Sequence, residues 1–144
     1  MMQQNTGTET AAPDPRVELI RRGYEAVERG DVAALDEMFA DDVTWHGLPG
    51  SSNERLSRDY DGKAAVFGFF GELGQLSSGS LRREVQDVLA NDRWAVAWVR
   101  ESGEREGKTA EWNELQIFTF TPEGRIADFR GLPFDLTVVD EFWS

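Results

Sequence analysis

An α+β fold, one layer of helices against a mostly antiparallel sheet, is predicted by three features of the 144-residue sequence. Apolar residues recur at helical spacing through most of the first half. After Leu81 the period changes to two, in long extended runs. The breaks between those runs carry turn-forming residues, so neighbouring strands are expected to pair as antiparallel hairpins. The length fits one domain with a real core.

Residues Met1 to Pro13 are polar, lack periodicity and read as a disordered tail, so the domain is expected to span residues 14–144. Asp14 can cap a helix with Pro15 at its first position, and Val17, Ile20, Tyr24 and Val27 line one face until Gly30 ends the pattern. Asp31 can cap a shorter second helix with Val32, Leu35, Met38 and Phe39 on its apolar face. A short strand follows at Val43-Thr44-Trp45-His46, broken by Gly47, Pro49 and Gly50. The polar stretch Ser51 to Asp59 reads as a loop.

From Asp61-Gly62 a third helix starts, with Val66, Phe67, Phe70, Leu73 and Leu76 on one side. Its Gly68, Gly71 and Gly74 read as a close-packing face, not as a nucleotide-binding loop. Four strands complete the order: Leu81 to Ala90, Arg93 to Glu101, Thr109 to Phe120 and Arg125 to Arg130. The segment Ser102 to Gly107 reads as a loop, and Glu101, Glu104, Arg105 and Glu106 read as its solvated tip.

Composition narrows the function. Fifteen basic and 27 acidic side chains leave a net charge of −12, which repels phosphate backbones, so neither a nucleic acid nor an anionic membrane is expected as partner. The absence of cysteine removes thiolate catalysis and thiolate metal sites, and one histidine leaves little to hold a metal, so no metal and no cofactor are expected. The N-terminus has neither the basic start nor the apolar stretch of a signal peptide, which makes the cytoplasm the expected compartment. The expected partner is a small apolar molecule.

The chemistry concentrates where aromatic and ionisable side chains meet. Trp112, Glu114, Gln116, Phe118 and Phe120 share one parity on the third long strand, so they face the same way. If that face lies under the helices, Glu114 is a carboxyl group among aromatics, and desolvation raises its pKa toward the range of a general acid or base. If it faces solvent, Glu114 serves only solubility. His46, beside a Gly- and Pro-containing loop, is the other candidate acid–base group. Trp45, Trp98 and Trp112 suggest an apolar box for a flat ligand. The strand carrying Trp94 and Trp98 is apolar on both faces, which suggests a homodimer through the sheet.

The run Tyr24-Glu25-Ala26-Val27-Glu28-Arg29-Gly30-Asp31, followed by Leu35 and by Met38-Phe39-Ala40-Asp41-Asp42-Val43-Thr44-Trp45-His46, resembles the opening of the NTF2-like superfamily, more closely its SnoaL-like branch. Tyr60-Asp61-Gly62-Lys63-Ala64-Ala65-Val66, Phe118-Thr119-Phe120, Gly124-Arg125-Ile126-Ala127-Asp128 and Asp140-Glu141-Phe142-Trp143 agree in order. The resemblance implies a cone of three helices on a strongly curved sheet that encloses an apolar pocket, with dimerisation through the sheet. The branch includes polyketide cyclases, steroid isomerase relatives, epoxide hydrolases, dehydratases and members with no known activity. The base aspartate of the steroid isomerase relatives falls on Gly47 here, and their neutral aspartic acid on Gln116. The last-strand aspartate of the cyclases and epoxide hydrolases falls on Gly131.

Two functions are therefore expected. The first is an enzyme without a cofactor, an isomerase, cyclase or dehydratase acting on an apolar or polycyclic substrate. In it His46 is the base, Glu114 the acid or the group that orients His46, and Gln116 the oxyanion donor. Trp45, Trp112, Phe70, Phe129, Trp98 and Tyr24 bind the substrate. The second is a non-catalytic small-molecule-binding or dimeric accessory domain using the same pocket. A protein-docking adaptor is a third reading, and it needs a large apolar surface patch.

Overall fold

The computed structural model describes residues 14–144; the expected tail, residues 1–13, lies outside them. Helix α1 (Pro15–Arg29) begins where the Asp14 side chain accepts from the Arg16 amide, and α2 (Val32–Met38) begins where Asp31 accepts from Ala34. Strand β1 runs over Phe39–His46, longer than expected. Phe39 adopts an extended backbone (φ −99°, ψ 140°), so it opens the strand while its side chain stays in the core. The expected loop contains a helical turn, α3 (Glu54–Ser57), capped by Asn53, and a two-residue strand, β2 (Tyr60–Asp61).

Helix α4 (Lys63–Leu76) matches expectation, but its glycines do not serve close packing. A Cβ on Gly68, Gly71 or Gly74 would meet nothing within 4 Å. Strands β3 (Arg82–Ala90), β4 (Trp94–Arg105), β5 (Lys108–Phe120) and β6 (Ile126–Pro133) form consecutive antiparallel pairs. The pairing of β4 with β5 continues to Arg105 opposite Lys108, so the turn is only Glu106 (φ 51°) and Gly107 (φ 80°). Two successive positive φ values suit the right-handed twist of a hairpin. The expected loop from Ser102 is therefore strand, which puts Glu101 within the ladder rather than at a tip.

A fifth described helix, α5 (Leu136–Trp143), was not expected. Its signals are Asp135, whose side chain accepts from the Thr137 amide, and the spacing of Val139, Phe142 and Trp143. The six strands form an open mixed sheet in the order β2-β1-β6-β5-β4-β3, in which β1 is parallel to β6 and every other pair antiparallel. Register irregularities between Val85 and Asp87 and between Thr119 and Phe120 bend the strands. Helix α1 packs on β3 and β4, α4 on β1, and α5 on β5 and β6. The core between the layers is aromatic: Trp45 lies 4.6 Å from Phe69, and Phe118 stacks on Phe129 at 5.6 Å.

Candidate functional site

A cavity of about 480 Å³ opens between the helices and the inner sheet face. Phe39, Trp45, Phe67, Phe69, Phe70, Phe118 and Phe129 supply its aromatic walls, and Ile20, Leu35, Met38 and Leu73 its aliphatic ones. This composition suits a small, largely apolar ligand.

Its polar end is built by strand alternation. On β5, Trp112, Glu114, Gln116 and Phe118 all face the cavity, the parity read from the sequence. On β4, Ala95, Ala97, Val99 and Glu101 take the inward parity. Arg83 on β3 pairs in register with Glu101, and Tyr24 reaches in from α1. Gln116 ties these groups together. Its Nε2 donates to Glu114 Oε2 at 2.8 Å and to Glu101 Oε2 at 2.9 Å, while its Oε1 accepts from the Tyr24 hydroxyl. With a carboxyl oxygen of each glutamate accepting from the amide nitrogen and the Tyr24 hydroxyl donating to its oxygen, this network fixes the amide orientation. Arg83 Nε stands 4.0 Å from Glu101 Oε1.

Two carboxyl groups are thus buried together, Glu101 at 6% exposure and Glu114 at 8%. Burial pushes Glu114 up to about 8, and the Glu101 charge adds to the shift. Burial also raises Glu101, but Arg83 and the Gln116 amide oppose the rise. The one cation of the cluster, Arg83, stands at Glu101, so of the two carboxyl groups Glu114 is the one whose protonated form burial favours. Burial, with Glu101 adding, raises Tyr24 well above its ordinary value, so it remains a neutral phenol.

The structure separates the other candidates. Trp45, Phe70, Phe129, Tyr24 and Trp112 line the cavity with Glu114 and Gln116. Trp98 does not: Ala97 and Val99 face in, so alternation turns Trp98 out, where it is 40% exposed and its Nε1 donates to Asn113 at 2.9 Å. His46 is likewise on the other sheet face, because its neighbour Trp45 points inward. The imidazole stands 3.9 Å from Asp59 Oδ2 and from Asp128 Oδ2, and it forms no pair with Glu114. Both amide hydrogens of Gln116 are held by carboxylates, so Gln116 orients the acids and has no free N–H for an oxyanion. Gly47 has no room for a side chain, since a Cβ would collide with the Ser57 carbonyl.

Sequence reasoning missed Glu101 and Arg83. The signal for Glu101 was its parity with Ala95, Ala97 and Val99, overridden by reading its segment as a charged tip. Arg83 carried no signal of its own, because only the pairing of β3 with β4 puts it beside Glu101.

Among the described residues no group of three or more His, Cys, Asp or Glu side chains is arranged to hold a metal ion. None of the described helices is long and apolar enough to cross a membrane.

The chain is 30% identical over 132 residues to an uncharacterised protein of Mycobacterium tuberculosis, covering 91% of this chain and 98% of that one. Among solved structures it is similar to Bal32a from a soil-derived mobile gene cassette, with 33% identity, a TM-score of 0.81 and coverage of 88% and 95% of the two chains. SalBIII, an epoxide hydrolase/cyclase-like enzyme of pyran ring formation in polyether salinomycin, shares the fold at 22% identity and a TM-score of 0.69, covering 86% and 93%. The SnoaL-like domain profile matches residues 20–129, across the helices and strands that enclose the cavity. On that match the chain belongs to the SnoaL-like family of the NTF2-like superfamily.

Proposed function

We propose that the protein binds a small, largely apolar molecule in the cavity and moves a proton to or from it, with Glu114 as the exchanging group. The observation that carries this reading is a carboxyl group buried at the polar end of an aromatic cavity, where desolvation pushes its pKa up to about 8. A general acid works best with a pKa near the operating pH, which is where burial and Glu101 hold Glu114. Gln116 and Tyr24 keep the carboxyl oriented. Isomerase, cyclase and dehydratase chemistry all need such a transfer, and the fold shared with an epoxide hydrolase/cyclase-like enzyme is consistent with it.

Incubation with polycyclic ketones in heavy water tests the reading. Deuterium incorporation beside the carbonyl is expected with wild type, and Glu114→Gln is expected to abolish it without unfolding the protein. Equal incorporation in the variant contradicts a role for Glu114.

The second reading is a non-catalytic binder. It is favoured by Gly47, Gln116 and Gly131, which place no acid where the resemblance puts catalytic aspartates. Saturable ketone binding without deuterium exchange would establish it.

We further propose that the outer sheet face joins two copies of the chain. Leu89, Trp94, Trp98 and Leu132 are exposed there on β3, β4 and β6, Trp94 at 50%. Sedimentation should show a dimer that Trp98→Glu dissociates; a wild-type monomer at all concentrations contradicts it.

A further inference from the structure

Helix α4 buries Val66, Phe69 and Leu73, and Phe67, Phe70, Gly71 and Gly74 form the flank beside them, since residues three, four and seven apart share a helix side. All four line the cavity. The flank is aromatic toward the start of the helix and bare toward its end, where a Cβ on Gly71 or Gly74 would meet no described atom within 4 Å. Gly68 is equally clear of neighbours but does not line the cavity. Glycine is among the poorest helix formers, so neither helix stability nor packing accounts for it at the two cavity positions.

The helices part at the same end. Near its start α4 is tied to α2, where Lys63 Nζ donates to the Asp36 carbonyl at 2.8 Å and stands 3.2 Å from the Asp36 carboxylate. One turn on, Phe67 meets Phe39 at 5.6 Å. Beyond that point the two sides rest on different supports, α1 on α2, β3 and β4, and α4 on β1 and β2. The lining residues that reach solvent surround this gap: Glu28 ending α1, Val32 opening α2, Gly71 on α4, and Gly79 and Arg82 just after it. Arg130 is also exposed, but alternation from the inward Phe129 turns its side chain to the outer sheet face. The gap is thus the cavity mouth, and Val32, 61% exposed, gives it an apolar rim.

We infer that Gly71 and Gly74 are specificity-determining residues, which set the size of ligand the cavity admits by leaving α4 bare between the mouth and the aromatic wall. A ligand whose inner ring lies among Phe67, Phe70 and Phe129 can extend an outer ring along that strip, directly against the helix backbone. Each ring so covered removes further apolar area from water and tightens binding. A side chain at 71 or 74 takes that space from the outer ring only, so it penalises long ligands and spares short ones. This inference rests on the reading of the cavity as a small-molecule site and deepens it.

Equilibrium dialysis with three methyl ketones of growing length tests the inference: acetophenone, 2-acetylnaphthalene and 2-acetylphenanthrene. Wild type should hold the three-ring ketone tightest. Gly71→Leu and Gly74→Leu should each weaken it at least about tenfold and leave acetophenone within about twofold. Gly68→Leu, the same change one turn earlier and off the cavity, should alter neither. All three variants should melt no lower than wild type, because leucine replaces a poor helix former and meets open space. Unchanged binding of the three-ring ketone in both cavity variants overturns the inference. Equal losses for one ring and three rings overturn it as well, as does the same loss in Gly68→Leu. Should a leucine variant fail to fold, Gly71→Ala and Gly74→Ala carry the test: a loss of about threefold confined to the three-ring ketone is expected, and no loss overturns the inference. Failure of wild type to bind any of the three would instead remove the small-molecule reading beneath it.

Discussion

Glu114 reaches into the cavity through space that Gly131 leaves empty. The two lie diagonally across the pairing of β5 with β6, where Gln116 is the direct neighbour of Gly131, and a Cβ at position 131 would collide with Glu114 Oε2. The missing side chain on one strand is thus the condition for the buried acid on the next.

Gly131→Ala is accordingly expected to destabilise the fold by about 1–3 kcal/mol, the usual cost of overpacking. Adding Glu114→Ala should relieve the clash, so the double variant melts above Gly131→Ala alone. Additive losses in a denaturation cycle would contradict the contact.

Stability should depend on pH through Glu114. A carboxyl whose folded value lies above its unfolded one binds more protons when folded, so its contribution is fully present below about 4.5 and is lost as pH rises to about 8. The limiting slope is about 1.4 kcal/mol per pH unit. Glu114→Gln, which mimics the protonated acid, should flatten that slope and gain on the order of 2 kcal/mol at pH 8. Urea unfolding at pH 5, 6.5 and 8 measures both.

Glu101→Gln removes the charge that faces Glu114. Its titration should therefore move down toward the ordinary glutamate range, whereas Arg83→Met should move it up. Carbon NMR of the glutamate carboxyl groups reads both directions.

His46→Ala should leave cavity binding within about twofold of wild type, because a 10-fold loss requires about 1.4 kcal/mol of lost contact and the imidazole makes none there. Ketone dialysis is the check. A tenfold loss would place His46 in the site after all.

Gly68→Ala should raise helix stability by about 0.5–1 kcal/mol, since the added methyl meets no atom. A lowered melting temperature would show that the position needs glycine.

Local patterns carried most of the fold. Capping at Asp14 and Asp31, the apolar stripe of α4 and the alternation on β5 are short-range signals, and each gave its element. The same alternation also held the information that Trp45 excludes His46, and that Val99 implies Glu101, from the cavity face and for it respectively. Those conclusions needed the rule applied along the whole strand. The rest depends on contacts distant in sequence. Arg83 joins the site only through β3 pairing with β4, Gly131 matters only because β6 lies beside β5, and α5 is short enough that its cap at Asp135 was its clearest sign.

The proposed function requires Glu114 to keep its proton at neutral pH inside the cavity. Titration of its carboxyl carbon by NMR, with the signal assigned by its loss in Glu114→Gln, tests this most directly. A midpoint near 8 is expected. A midpoint at the ordinary glutamate value, about 4.3, would contradict it.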